Sequence, residues 1–431
     1  MGKLKVALLG LGNVGSGVYK ILNANKSVIE KRSGYEIEVS KILVRDKNKP
    51  RPVEVDEDIV TTDINDILDD EEISIVVELM GGEEPAKSYI LRTIEKKKHI
   101  VTANKLLMAK CGVEVFNKAK EVGGVHVHYE ASVAGGIPII QGINEALTGN
   151  KIEKVIGIIN GTTNYILTEM EDKGLSFEEA LKGAQDKGYA EADPTSDIEG
   201  FDTLYKLDIL TALCFNKKVP VESIYREGIT KISKGDIEIA KEFGYKIKLL
   251  AIGSEVDGKI EARVHPTMIP ANHPLANVND SFNAIMLKGD AVGDLMFYGR
   301  GAGDLPTGSA VVGDIIAVAK NLNNEPSGLD LFEENNKKAL KDMKEVESEY
   351  YLRMNVFDTP GTLAEISSIF ALHKISILSL IQRGDRKEGR TDIIFITHKA
   401  KEEAIRNSVE AFENLGDNYK VENIIRIEDF N

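Results

Sequence analysis

Glu191, Asp193, Asp197, Asp202 and Lys206 fall within one stretch, residues 184–206, which reads AQDKGYAEADPTSDIEGFDTLYK. Asp202 and Lys206 are four apart, so on a helix they share a face and can pair. The stretch opens as an amphipathic helical run, breaks at Gly188, passes Asp193-Pro194 in a loop and re-enters a helix near Gly200. Most charge runs are solvated, and an acidic loop followed by a surface ion pair is the default reading. The sequence after Lys206 argues otherwise: LDILTALCF is apolar almost all round and belongs in a core. A lysine with carboxylates at the head of a buried helix has a perturbed environment, the setting in which acids and bases are tuned.

Other groups stand where strands end. Residues 3–9 form a short apolar run that closes on Gly10-Leu11-Gly12-Asn13-Val14-Gly15, and a helical pattern follows. Strand before and helix after give this GxGxxG the context of a dinucleotide-binding turn. Gly10 makes the turn, Gly12 admits the pyrophosphate, Gly15 lets helix approach strand, and the free N–H groups of the helix start face the phosphates. The next strand, 37–44, leads into Arg45-Asp46-Lys47. An arginine there accommodates a ribose 2′-phosphate and a carboxylate takes a 2′-hydroxyl, so Arg45 and Lys47 tilt the choice to NADP while Asp46 leaves NAD open. Strands at 74–79 and 99–102 continue a strand-helix alternation, that of a doubly wound parallel sheet in an α/β domain. The 99–102 strand ends on Thr102-Ala103-Asn104-Lys105, placing Lys105 on the edge where open α/β sheets bind ligands. The turn EASVAGGIP at 130–138 is either a plain tight turn or a holder of substrate or a cation through Glu130 and backbone carbonyls.

At 431 residues the chain has room for two or three domains, and 42% hydrophobic with 29% charged residues is ordinary for a globular protein. A net charge of -15 disfavours nucleic acid and anionic membranes as partners. No apolar run approaches the length of a membrane span, and residues 1–9 carry no leader pattern, so a cytoplasmic protein is expected. Cys111 and Cys214 lack metal or disulfide spacing and are expected in the core.

Residues 259–265 read as a strand and 268–275 as an apolar, proline-broken linker. Residues 324–348, rich in Asn, Glu and Lys, read as a linker. From Tyr350 the pattern changes: Tyr350, Leu352, Met354 and Val356 alternate as in a half-buried strand, and a βαββαβ order follows to residue 426.

The motifs GLGNVG, TANK, EASVAGGIP, NGTTNYIL at 160–167 and the 184–206 stretch occur in an order that resembles the homoserine dehydrogenases. The likeness covers roughly residues 4–325, and the DTPGTLAEI turn at 358–366 resembles an ACT domain. The implied architecture has three parts. A Rossmann-type α/β domain spans 1–148 with a return helix at 305–323; an α+β catalytic and dimerisation domain spans 149–304; a ferredoxin-like ACT domain spans 349–431 after the linker. The implied reaction is the reversible NAD(P)H-dependent reduction of L-aspartate 4-semialdehyde to L-homoserine.

The resemblance implies Lys206 as proton donor or relay, Lys105 as a second catalytic lysine that also meets the cofactor, and Glu191 and Asp202 as substrate holders. Gly188 and Gly303 would line the cofactor, and Glu130 with the carbonyls of Val133, Gly135 and Ile137 would bind a structural sodium ion. L-threonine is the expected effector at the ACT domain, and a homodimer or homotetramer the expected assembly. Hydride arriving at an aldehyde carbon leaves charge on oxygen, which an ammonium stabilises and protonates. A dehydrogenase for another amino-acid semialdehyde and a non-catalytic amino-acid sensor are the alternatives. The sensor reading is disfavoured because Lys105, Glu191, Asp202 and Lys206 are all present.

Overall fold

The computed structural model describes residues 2–326, 340–387 and 389–430. The chain divides into two units, one of Met1–Gly161, Asp202–Ser223 and Phe282–Lys337, the other of Thr162–Phe201, Ile224–Ser281 and Lys338–Asn431. Of the linker read at 324–348, residues 327–339 lie outside the described residues.

The first unit is built on six parallel strands: β1 Gly2–Leu9, β2 Tyr35–Leu43, β3 Val60–Thr61, β4 Ile73–Glu78, β5 His99–Thr102 and β6 Val127–His128. They lie in the order β3-β2-β1-β4-β5-β6, so the chain reverses direction across the sheet between β1 and β4. Val6, Ala7, Leu8 and Leu9 are all fully buried, because helices cover both faces of a parallel sheet and the strand reads as one apolar run. Helix Asp304–Asn321 comes back from far along the chain and packs on helix Asn13–Ala24, with Val311, Ile315 and Val318 in the core that Val6, Leu8, Val18 and Leu22 share. Each such side chain contributes about 1.5–3 kcal/mol when fully buried. The two helices touch through backbone: a Cβ on Gly17 would stand 2.1 Å from the Asp304 carbonyl oxygen. The same unit contains strand Ile152–Ile158, antiparallel to Phe282–Gly289, which turns back as Gly293–Arg300.

The second unit contains the hairpin Tyr245–Val256 and Lys259–Pro270, and the C-terminal βαββαβ domain. That domain runs Glu347–Phe357, Thr362–Leu372, Ile377–Lys387, Arg390–Thr397, Glu402–Asn414 and Tyr419–Ile427, around a core of Phe370, Phe395 and Phe412. Its sheet does not end at its own border, since Tyr419–Ile427 pairs in parallel with Lys259–Pro270 through Thr267↔Arg426 and Met268↔Ile427.

One sequence reading needs correction. The strand read at 259–265 continues to Pro270, where a proline-broken linker was expected. One edge of this strand meets Tyr225–Arg226 at residues 263–264 and Tyr419–Ile427 at 267–268, and Pro266 falls between the two partners. A residue without an N–H is tolerated there. The half-buried alternation at Tyr350 holds, with Tyr350, Leu352, Met354 and Val356 buried and Glu349, Arg353 and Asn355 partly exposed, except at Tyr351, which is fully buried and whose hydroxyl donates to Asp236 of helix Lys234–Glu242 at 2.8 Å.

Candidate active site

Helix Phe201–Phe215 carries both Asp202 and Lys206, 4% and 8% exposed. Its apolar residues hold it in the core, so the two ionisable groups at its head are desolvated with it. Lys206 Nζ donates to Asp202 Oδ2 and to the Ile159 carbonyl, both at 2.7 Å. Asn160 Nδ2 donates to the same Oδ2 at 2.9 Å, and Lys105 Nζ pairs with Oδ1 at 2.5 Å. Burial acts to raise the Asp202 carboxyl, but the Lys206 and Lys105 ammonium groups outweigh it and hold the group well below the usual carboxylate range. Two ammonium groups on one carboxylate leave a net positive site, suited to a substrate carboxylate or to charge developing on a carbonyl oxygen.

Lys105 is the first residue of helix Lys105–Val122, and the Asn104 side chain caps that helix by accepting the Leu107 N–H. The Lys105 side chain is 41% exposed where that of Lys206 is 10%, so the first is reachable and the second is fixed by its burial. The sequence paired Asp202 with Lys206 and pointed to Lys105 separately, and the fold brings the three together. Asn160 was missed as a partner of Asp202, although it stands in the polar NGTTNY loop. Asp193 is a turn former, its Oδ1 accepting the Thr195 N–H at 3.1 Å.

The dinucleotide turn lies at the carboxyl end of β1, with the Gly10 N–H donating to Leu43 O at the end of β2, two residues before Arg45. A Cβ on Gly15 would stand 2.3 Å from Gly10 O, so the turn closes only over glycine. At Gly12 an added Cβ would meet nothing within 4 Å, and no side chain caps helix Asn13–Ala24. Open space before uncapped N–H groups fits a pyrophosphate. Leu11 is buried, Asn13 and Val14 begin the helix, and Gly303 (φ 121) precedes helix Asp304–Asn321 where that helix meets Gly17. Arg45 is exposed. Beyond it Asp46 Oδ1 accepts the Asn48 N–H at 2.9 Å, and Arg51 clasps the loop by donating to the carbonyls of Asp46, Lys47 and Lys49.

Glu130 is buried, its carboxylate oxygens accepting the N–H groups of Ile140 and Gln141 at 2.9 and 2.7 Å. Burial, with Asp314 nearby, pushes its carboxyl up to about 7 against those hydrogen bonds. Val133 precedes two left-handed residues, Ala134 (φ 52) and Gly135 (φ 53), and the Ile137 N–H returns to Ala134 O. Gly188 (φ 73) and Glu191 belong to the second unit, in the loop after helix Phe177–Asp186, and Glu191 is exposed.

Glu78 escaped the sequence reading. It ends β4, is fully buried, and accepts from Thr102, Met80 and Gly81 at the edge that carries Lys105.

The chain matches three family models: the homoserine dehydrogenase NAD binding domain over residues 10–130, homoserine dehydrogenase over 138–316 and the ACT domain over 350–417. It is 39% identical to a homoserine dehydrogenase of Bacillus subtilis over 98% of this chain and 99% of that protein. It is also similar to the crystal structure of a homoserine dehydrogenase from Thiobacillus denitrificans, with a TM-score of 0.91 and 43% identity, covering 100% of this chain and 99% of the other. A hyperthermophilic archaeal homoserine dehydrogenase solved in complex with NADPH aligns over 73% of this chain and 97% of its own, with a TM-score of 0.61 and 26% identity.

Proposed function

This chain belongs to the homoserine dehydrogenase family of NAD(P)-dependent oxidoreductases, and from that premise we propose the chemistry of its own residues. The substrate pair is L-aspartate 4-semialdehyde and L-homoserine, and the nicotinamide supplies or takes the hydride. Lys206 donates the proton to the carbonyl oxygen, and returns as acceptor when homoserine is oxidised. Lys105 adds positive charge beside it, and Glu191 and Asp202 hold the substrate's ammonium group. The observation that carries this reading is the buried Lys206–Asp202 pair at 2.7 Å with Lys105 on the second oxygen.

NADP is the proposed preference. Asp46 spends an oxygen on the Asn48 N–H, which leaves Arg45 as the recognising group. The archaeal relative with NADPH supports the choice. The test is the initial rate of homoserine-dependent reduction of NADP and of NAD, with and without L-threonine, for the chain and for Arg45→Ala. The variant is expected to raise KM for NADP by about 10–100-fold, the worth of a charge-assisted hydrogen bond, and KM for NAD by less than about threefold. Equal losses on both cofactors would remove Arg45 from phosphate recognition.

A sodium ion at Glu130 and the carbonyls of Val133, Gly135 and Ile137 is proposed because burial and the neighbouring Asp314 raise the Glu130 carboxyl to about 7, a cost that a cation beside it would relieve. A carboxyl raised in the folded state destabilises folding as pH climbs from its unfolded value near about 4.3 through 7, and a bound cation removes that loss. Tm at pH 8 is therefore expected to be higher in sodium chloride than in tetramethylammonium chloride, and Glu130→Gln to abolish the difference. Equal Tm in the two salts for the unmodified chain would exclude the ion.

Threonine feedback through the ACT domain is proposed from that domain's presence, and a threonine effect on the rates above checks it. Self-association is proposed through strand Gly293–Arg300, an edge strand with Met296 40% and Tyr298 55% exposed, and light scattering reads whether dimer or tetramer forms. No helix among the described residues is long and apolar enough to cross a membrane.

A further inference from the structure

Glu78 is a carboxylate at the carboxyl edge of the parallel sheet whose hydrogen-bond partners among the described residues are backbone amides and a hydroxyl. Its Oε1 accepts the backbone N–H groups of Met80 at 2.7 Å and Gly81 at 3.3 Å, and its Oε2 accepts the Thr102 hydroxyl at 2.6 Å. Thr102 is its register partner on β5, and the Ala103 N–H donates to the Glu78 carbonyl at 3.2 Å. The Thr102 oxygen in turn accepts the Asn104 N–H at 3.0 Å, while Asn104 Nδ2 donates to Gly82 O at 2.7 Å. One side chain therefore braces two loops, 79–82 and 102–105, and the second ends on Lys105.

Burial pushes the Glu78 carboxyl up, against its hydrogen bonds with Thr102 and the Met80 and Gly81 amides. An ionised group so placed costs stability, and a neutral residue would pack at the same point with less penalty. What the carboxylate offers is acceptor capacity at both oxygens at once: it accepts from two backbone amides and from the Thr102 hydroxyl, whereas an amide at this point would have to donate to Thr102 and turn its hydroxyl away. The segment from Thr102 to Lys105 then has little freedom, and the Lys105 ammonium reaches Asp202 from a fixed base.

We infer that Glu78 is a positioning residue for the reaction, setting through Thr102 and Asn104 where the Lys105 ammonium stands beside Asp202. The inference rests on the reading of Lys105 and Asp202 as active-site groups. Glu78→Gln keeps the volume and loses one acceptor; Thr102→Val removes the hydroxyl and Thr102→Ser keeps it. In the full-length chain, Glu78→Gln and Thr102→Val are each expected to lower kcat by about 10–100-fold, as small displacements of reacting groups do, with the NADPH dissociation constant within about threefold. Thr102→Ser should restore most of kcat, and the Glu78→Gln/Thr102→Val double variant should fall no further than the worse single one.

A second readout does not depend on turnover. The rate at which Lys105 is acetylated by limiting acetic anhydride, followed by peptide mass spectrometry, should rise several-fold in Glu78→Gln as the ion pair to Asp202 loosens. Lys105 labelling that moves in a chain without homoserine-dependent turnover would fail the proposed activity and keep the positioning role. Unchanged labelling and unchanged kcat in Glu78→Gln, or a kcat loss matched by equal loss of folded protein and of NADPH binding, would overturn it.

Discussion

Lys206→Ala is expected to lower kcat for homoserine oxidation by about 10³-fold, combining the loss of a proton-transfer group with the loss of charge beside the reacting oxygen. NADPH should bind within about threefold of the unmodified chain, because the dinucleotide turn at Gly10–Gly15 makes no use of the lysine. The fold should survive. Asp202 keeps Lys105 on Oδ1 and Asn160 on Oδ2, so the buried carboxylate is not orphaned, and the expected cost is about 1–3 kcal/mol. The pH dependence of that cost has a definite sign. In the folded chain Asp202 titrates below its unfolded value, so its stabilising contribution is present above about pH 4 and fades as the pH falls through the folded pKa. The Tm difference between variant and unmodified chain should thus narrow in acid. Fluorescence titration with NADPH beside the rate assay separates the outcomes. Loss of cofactor binding together with turnover would mean that Lys206 supports the nucleotide site and that its role in proton transfer is misassigned.

What the sequence made legible is what local pattern encodes. GLGNVG between an apolar strand and a helix, TANK at a strand end, and an apolar helix behind Asp202 and Lys206 each announce themselves within a few residues, and the structure seats all three in one unit. The βαββαβ order of the ACT domain was readable for the same reason, since each element has its own period. Glu78 was not readable, because a single acid ending an apolar strand looks like the solvated end of that strand. Its partners, Thr102, Met80 and Gly81, identify it only when β4 and β5 lie side by side. The hairpin of Phe282–Gly289 and Gly293–Arg300 shows no plain strand pattern in the sequence, where glycines at 289, 293 and 299 interrupt it. Some of these serve close approach: a Cβ on Gly299 would press on Ile137 at 3.2 Å. Proline did the same damage in Lys259–Pro270: Pro270 ends the strand, and Pro266 falls between the two partners along one edge.

Long-range charge pairing is the other blind spot, and Arg426 is its clearest instance. This guanidinium is fully buried on the last strand. It donates to both oxygens of Glu402 at 2.6 and 3.0 Å, to Glu227 at 2.9 Å and to the Tyr225 hydroxyl at 2.9 Å. Glu402 and Arg426 belong to the ACT domain, whereas Tyr225 and Glu227 flank Arg226, whose guanidinium lies 3.7 Å over the Phe201 ring. Phe201 precedes Asp202. The segment 225–227 therefore has Tyr225 and Glu227 in the ACT domain's ion cluster and the intervening Arg226 on the residue before Asp202. Arg426→Met should destabilise the chain by about 3 kcal/mol, because buried Glu402 loses its main cation and keeps only the half-exposed Arg406, while the partly buried Glu227 loses Arg426 as well. In the unmodified chain burial raises the Glu402 carboxyl and Arg426 more than reverses it, so the pair stabilises above the unfolded pKa and is lost in acid. In the variant Arg406, at 2.8 Å, is left to oppose the burial, so Glu402 titrates higher when folded than in the unmodified chain, and the deficit should be larger at pH 8 than at pH 5. Adding Glu402→Gln to Arg426→Met should recover a large part of it, since the charges then left without a partner, Arg406 and Glu227, reach solvent while Glu402 does not. A deficit independent of pH, or one that Glu402→Gln deepens, would show that Arg426 acts by packing its stem and that the cluster carries no charge coupling. With coupling present, any threonine response of the unmodified chain should be weakened in the double variant, which keeps the fold and severs the ionic link between the last strand and Glu227.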